Sequence, residues 1–212
     1  MTIQKIPNQI IKQPLQYLDL SKVDSIALHH MAHPTADIKT VEGWHVNDQN
    51  WRALGYNFWV GFDGTVYEGR GFKLGAGVEN QNGHIISIGF QGDYHSKEVT
   101  MPDAQFNAGV DIIKYVMENV PSVKKIGGHG EFMPTACPGK YFPLEEMKTL
   151  KKRDIDKFTD ISDSYARDTI NELYDMGIVK GDGTGNFNPK DNITREDMAT
   201  MIRNTIKYIT GK

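Results

Sequence analysis

Residues 85–90 read Ile-Ile-Ser-Ile-Gly-Phe, a run with no charged side chain and no polar–apolar alternation. A strand with one wet face alternates, whereas a continuously apolar strand must be covered on both faces. The chain therefore needs a sheet with a layer on each side. Its other segments supply the parts. Ser25–Met31 (SIALHHM) is a second short apolar strand. Tyr56–Gly61 (YNFWVG) and Thr65–Glu68 (TVYE) flank the turn Phe62-Asp63-Gly64, a hairpin signal. Ile38–Arg52 reads as a helix with an aromatic-rich end. Phe106, Val110, Ile113 and Met117 fall at helical spacing within 102–119. Strands interleaved with helices predict an α/β fold, a central mixed β-sheet flanked by helices.

A length of 212 residues allows one or two domains, and a composition seam near residue 153 favours two. The stretch KTLKKRDIDKF (148–158) is charged and lacks apolar periodicity, so it reads as a helix end plus a linker. Beyond it, residues 154–212 carry eight basic and eleven acidic side chains; the residues before carry sixteen of each. The expected boundaries are 1–152, a linker at 153–157, and a small α-helical module at 158–212. In that module Ala166, Ile170, Leu173 and Tyr174 share one helical face, with Gly177 as the residue after the cap. A turn-rich loop, GDGTGNFNPKDN (181–192), follows. Thr194 then stands three residues before Asp197, close to a capping box, and Ala199, Ile202 and Ile206 give the next helix an apolar stripe. Two helices make a thin core, so the module is expected to use a partner surface. The loop 182–193 is not a calcium loop, because Phe187 and Ile193 stand where glycine and a carboxylate are required.

Several function classes are excluded by simple counts. A formal net charge of −3 gives no basic surplus, so no nucleic-acid partner is expected. No apolar run approaches the ~20 residues of a membrane span, so no membrane partner is expected either. A single cysteine, Cys137, excludes an intramolecular disulfide framework. The first twenty residues have no compact apolar core and no small-residue cleavage site, so no secretory signal is read.

Three positions can carry chemistry: His29-His30, His129 and Cys137. Side chains alternate along a strand. Ile26, Leu28 and His30 therefore share a core-like face, while Ser25, Ala27 and His29 share a small-residue face that can floor a pocket. His29 is taken as the functional member and His30 as structural. His129 lies in IGGHGEFMPTACPGKYF, whose glycines and prolines allow a tight fold that brings His129 and Cys137 together. Two imidazoles and a thiolate suit zinc in its three-ligand catalytic form, which lowers the pKa of a bound water toward ~7. The same residues also suit a Cys–His thiol hydrolase, with Cys137 at a helix N-terminus ahead of Pro138. A strand histidine, a loop histidine and a buried cysteine without a joint role is the third reading. Spacing alone leaves all three open.

The segments LHHMA (28–32), WRALGYNFWVGFDGTVYEGRG (51–71) and GGHGEFMPTACPG (127–139) resemble, in the same order, the zinc-dependent N-acetylmuramoyl-L-alanine amidases. This superfamily includes phage lysozyme-type amidases and peptidoglycan recognition proteins, and the resemblance covers roughly residues 20–150. It implies a Zn2+ held by His29, His129 and Cys137. It also implies that Tyr56 lies beside the metal to stabilise an oxyanion or position water. The family often carries Lys or Thr two residues before the cysteine; here Thr135 offers only a hydroxyl, which shifts weight to the metal and Tyr56. His45 falls at a family-like position in the helix before GYNF and is a candidate substrate contact.

Residues 158–207, with the landmarks FTDI, GIVKGDGTGNFNP and ITRED, resemble an S-layer homology module. The resemblance implies binding to a secondary cell-wall polymer. Arg195 is the candidate contact to an acidic group, and a helix-end salt bridge is the alternative role. Such modules usually occur in threes, so a single copy implies weak binding or self-association. The joint expectation is an endolysin-like, bacteriolytic peptidoglycan hydrolase. It would cut the amide between N-acetylmuramic acid and L-alanine, waiting in the host cytoplasm until release and then acting at the cell wall. A non-catalytic peptidoglycan-binding protein and a thiol amidase are the alternatives.

Overall fold

The computed structural model describes residues 1–153 and 156–211. It divides into two compact units, Met1–Arg153 and Asp154–Lys212. Part of the linker expected at 153–157, residues 154 and 155, lies outside the described residues.

The first unit is built on a six-stranded mixed sheet. Its strands are β1 (Ile3–Lys5), β2 (Ser25–His30), β3 (Phe58–Val60), β4 (Val66–Glu68), β5 (Ile85–Phe90) and β6 (Lys125–Gly128). Their order is β1-β4-β3-β5-β2-β6. Only the β3–β4 hairpin is antiparallel; every other pairing is parallel. β2 and β5 lie side by side in the middle, and all six residues of each are buried. That placement is what their continuous apolar runs require. The hairpin turn closes through Asp63, whose carboxylate accepts from the Thr65 N–H at 2.9 Å and from its hydroxyl at 2.8 Å.

One sheet face is covered by α2 (Asp103–Asn119). Phe106, Val110, Ile112, Ile113 and Val116 pack with Ile26, Leu28, Phe58, Val60, Ile86, Ile88 and Phe90 in a single core, and Met117 lies at its edge. Each large apolar side chain buried this way contributes roughly 1.5–3 kcal/mol. The opposite face carries two smaller clusters, one around Met31, Val41, Leu54 and Trp59 and one around Ala27, Val78 and Ile85. The candidate site lies on this less filled face. The helix expected at Ile38–Arg52 is shorter. α1 (Ile38–Gly43), capped by Asp37, continues as a wider π turn over Trp44–Asp48, and Asn50 takes a left-handed φ of 53° that no helix can continue through. A short α3 (Leu144–Lys148) closes the unit.

In the second unit, α4 (Arg167–Asp175) is followed by Gly177 at φ 70°, and α5 (Arg195–Thr210) begins at Thr194. The Thr194 hydroxyl oxygen accepts from the Asp197 N–H at 3.0 Å and the hydroxyl donates to the Asp197 carboxylate at 2.5 Å, so the carboxylate meets the cap's side chain where a capping box would have it meet the backbone N–H. The core is Phe158, Ile161 and Ile170 with Ala166 and Phe187 against them. The apolar stripe of α5 is not part of it: Ile202 and Ile206 are each 55% exposed, and α5 has no buried residue. The loop after α4 is ordered by carboxylates instead. Asp160 accepts from the backbone N–H groups of Phe187 and Asn188 at 2.8 and 2.7 Å, and Asp182 from that of Thr184 at 2.8 Å.

Candidate metal centre

His29 is the fifth residue of β2, on the face shared with Ser25 and Ala27, and is 1% exposed. His30 points the other way, where its Nδ1 accepts from the Tyr94 N–H at 3.0 Å and lies 3.8 Å from Asp93. β6 delivers His129, which opens a single 3-10 turn ending at Glu131. The Glu131 carboxylate accepts from the Gly128 N–H at 3.0 Å and is held by Lys148, which fixes that turn. The segment 130–137 then closes on itself, because the Gly130 N–H donates to the Cys137 carbonyl at 2.8 Å. This closure brings Cys137 back to His129 across eight residues.

The ligand atoms of His29, His129 and Cys137 all lie within 4.8 Å of one another. The Cys137 Sγ is 3.9 Å from His29 Nδ1, and the two imidazole rings are 4.4 Å apart. Tetrahedral zinc with ordinary S and N bond lengths separates such atoms by about 3.5 Å. Both histidines also keep a buried Nε2 with no protein partner. The His29 nitrogen that faces the sulfur is Nδ1, and this cluster fits a metal by its donor set and its spacing. It is the one such group of three among the described residues.

Burial holds His29 well below the usual histidine range, with the nearby His129 adding to the effect, and burial lowers His129 too. Both rings are thus neutral, the form that ligates a metal. Burial pushes the Cys137 thiol up to about 11, opposed by a hydrogen bond from the His30 backbone N–H. The protein alone therefore provides no cation that would activate this thiol. Nor does Cys137 start a helix: it sits in a turn, and the next helix begins at Leu144. The helix N-terminus that the thiol-hydrolase reading required is absent.

Tyr56, two residues ahead of β3, sets its ring 5.1 Å from that of His29, tilted by 49°. Burial raises its hydroxyl above the ordinary tyrosine range, so the O–H stays protonated and able to donate. Gly89 makes this position possible, since a Cβ there would stand 2.8 Å from Tyr56 Cδ2. Gly77 packs closely here too: a Cβ would stand 2.5 Å from Ser87 Oγ and 3.2 Å from His29 Nε2. His45 lies one ring further out. It stacks on Trp51 at 4.7 Å, meets Tyr56 edge-on at 5.3 Å, and accepts from the Gly55 N–H at 3.1 Å. Burial and the Arg70 charge lower it to about 4. Thr135 is exposed, and its hydroxyl accepts from the Cys137 N–H at 3.3 Å. Arg195 belongs to the second unit, exposed in the first turn of α5 without an ion pair among the described residues.

Sequence reasoning missed Asn57. It is fully buried, donates to the carbonyls of Gly71 and Lys73 at 2.7 and 2.8 Å, and accepts from the Ser87 N–H at 2.9 Å. It thereby ties the loop after β4 to β5 beneath Tyr56. The signal was available, an amide between aromatic residues in an apolar strand, but a sequence does not say where such an amide finds partners.

A family profile described as N-acetylmuramoyl-L-alanine amidase matches residues 19–140, more than half of the chain. The chain belongs to that family. A second profile, the S-layer homology domain, matches residues 157–199. Among curated relatives, peptidoglycan-recognition protein SC2 of Drosophila simulans is 34% identical over 105 residues, covering 48% of this chain and 56% of that protein. Peptidoglycan-recognition protein 2 of Holotrichia diomphalia is 29% identical over 143 residues, covering 62% and 71%. The chain thus spans little more than half the length of the first of these relatives. Among solved structures, the endolysin N-acetylmuramoyl-L-alanine amidase LysCS from Clostridium intestinale URNW superposes with a TM-score of 0.63 at 23% identity, over 70% of this chain and 93% of that one. The amidase-family chain shares that α/β fold.

Proposed function

We propose that residues 1–152 form a zinc-dependent N-acetylmuramoyl-L-alanine amidase that hydrolyses the amide joining N-acetylmuramic acid to the L-alanine of peptidoglycan, in the manner of an endolysin. Residues 158–212 would hold the enzyme to a secondary cell-wall polymer, with Arg195 as a contact. The observation that carries the reading is the convergence of two neutral imidazoles and one thiol, with their ligand atoms within 4.8 Å of one another.

His29, His129 and Cys137 would hold the metal. When bound, zinc supplies Lewis acidity toward the amide carbonyl and lowers the pKa of a water molecule. The remaining work falls to the chain. The Tyr56 hydroxyl, kept protonated by burial, donates to the carbonyl oxygen as negative charge develops on it. His45, itself stacked on Trp51, braces the Tyr56 ring edge-on and would contact substrate. The Thr135 hydroxyl holds the Cys137 backbone in its turn. Thr135 thus serves as a positioning residue.

A second reading has support of its own. The relatives named above are peptidoglycan-recognition proteins, so this site could bind peptidoglycan without cutting it. Turbidity of purified cell walls separates the two. The amidase reading expects clearing that a chelator abolishes and zinc restores, with no effect of iodoacetamide on the zinc-loaded protein. Wall binding without clearing supports the recognition reading. Clearing that survives chelation and is lost to iodoacetamide supports the thiol reading.

A further inference from the structure

Ser87 is the one polar side chain in β5, and it is fully buried. It is paired with Ala27 of β2, as Gly89 is with His29, so its side chain lies on the sheet face that carries His29. Its main chain is engaged by Asn57, whose N–H donates to the Ser87 carbonyl at 2.9 Å and whose side-chain oxygen accepts from the Ser87 N–H at 2.9 Å. The hydroxyl is not engaged: it has no hydrogen-bonding partner among the described residues, and neither has His29 Nε2. A buried hydroxyl is costly unless it makes a hydrogen bond, and alanine would fill this position without that cost.

The two unpartnered atoms border one spot. A Cβ at Gly77 would stand 2.5 Å from Ser87 Oγ and 3.2 Å from His29 Nε2, so the glycine leaves open the place on which both converge. The loop around Gly77 is tied down on either side of it. The Ala76 N–H donates to the Gly55 carbonyl at 2.9 Å, and the Val78 N–H to the Asn82 side-chain oxygen at 3.0 Å. The other nitrogen of the His29 ring, Nδ1, faces Cys137 Sγ at 3.9 Å. A neutral imidazole has one N–H, so a ring that ligates through Nδ1 carries its proton on Nε2. That N–H needs a buried acceptor, and the Ser87 oxygen is the polar side-chain atom set on that side of the ring.

We infer that Ser87 is a positioning residue of the metal centre: its hydroxyl oxygen accepts the Nε2 proton of His29 and holds the ring in the tautomer that turns a bare Nδ1 toward the metal. The inference rests on the metal-dependent reading and extends it from the three ligands to the residue that orients one of them. Ser87 acts through His29 alone.

The test compares Ser87→Thr with Ser87→Val in the full chain. These side chains have nearly the same shape and differ by the hydroxyl, so strain from the added methyl falls on both. Ser87→Ala makes the same comparison against the wild type and needs no added space. Zinc affinity is measured by competition with a chromophoric chelator, and the His29 tautomer of the metal-free protein by heteronuclear NMR of its imidazoles. Ser87→Ala and Ser87→Val should bind zinc about tenfold or more weakly than the wild type, as when a ligating histidine loses the partner of its other nitrogen. Ser87→Thr should recover most of that loss. The His29 proton should reside on Nε2 in the wild type and Ser87→Thr, and be shared between the two nitrogens in Ser87→Ala and Ser87→Val. Equal zinc affinity within either pair, or an Nε2 proton unchanged by loss of the hydroxyl, overturns the positioning role and leaves the metal reading in place. An Nε2 proton that depends on the Ser87 hydroxyl in a chain that retains no zinc overturns the metal reading and leaves the Ser87–His29 hydrogen bond standing.

Discussion

The substitution Gly89→Ala isolates what the sheet does for Tyr56. Gly89 is paired between His29 of β2 and Trp59 of β3, at the floor of the site. Its backbone is one that alanine can adopt, so only space is at issue. The added methyl would stand 2.8 and 3.0 Å from two carbons of the Tyr56 ring and 2.9 Å from Met31 Cε. Carbon atoms rest at about 3.5–4.0 Å, so the ring must retreat by roughly 0.7 Å. The end of Met31 can swing aside. Tyr56 cannot do so freely, because His29 and His45 stand 5.1 and 5.3 Å from it by ring centroid. Overpacking of this kind costs about 1–3 kcal/mol. A hydroxyl misplaced by close to 1 Å costs on the order of 10²-fold in rate. Urea unfolding, bound zinc and wall clearing should therefore report a less stable protein that keeps its metal and loses most of its activity. The decisive control is Tyr56→Ala, which removes the obstacle; Gly89→Ala should cost at least about 1 kcal/mol less in that background. An equal cost in both backgrounds, or full activity of Gly89→Ala alone, would refute the steric argument.

Other expectations follow from single contacts. His45 is held near 4 in the fold against about 6.5 when unfolded, so folding favours its neutral form; the associated stability, up to about 3 kcal/mol, is complete above pH 6.5 and is lost as pH falls toward 4. His45→Asn keeps an acceptor for the Gly55 N–H but does not titrate, so its melting temperature should fall less steeply over that interval than the wild type's; parallel curves would contradict this. Thr194→Ala removes the α5 cap and should cost about 0.5–2 kcal/mol in the melting of the second unit, with no change in the first. Deleting residues 154–212 should reduce sedimentation with cell walls and leave the first unit folded by circular dichroism; undiminished sedimentation would remove the targeting role.

How much of this was legible in the sequence varied with the physics of each segment. Ile85–Phe90 emerged with the expected bounds because a six-residue apolar run between turn residues has few other uses. Phe106, Val110 and Ile113 marked the buried side of α2 for the same reason. β6 was not foreseen. Its Lys-Ile-Gly-Gly has little strand preference of its own and becomes a strand by pairing with β2 from Ser25 to Leu28. β1 was hidden likewise, three residues recruited by β4. The α5 stripe shows the converse failure: periodicity identified an apolar face but could not say whether the chain covers it, and Ile202 and Ile206 remain more than half exposed. At the site, strand alternation separates His29 from His30, whereas the approach of Cys137 to His129 depends on the bond from the Gly130 N–H to the Cys137 carbonyl. No spacing rule contains that contact.

The central claim is that His29, His129 and Cys137 form one metal site, and zinc-edge X-ray absorption of the full chain tests it most directly. The chain would be loaded with one equivalent of zinc and desalted. One zinc should be retained, with a single sulfur scatterer at about 2.3 Å and nitrogen scatterers at about 2.0–2.1 Å, the sulfur signal disappearing in Cys137→Ala. Zinc that washes out, or a bound zinc with no sulfur in its shell, would contradict it.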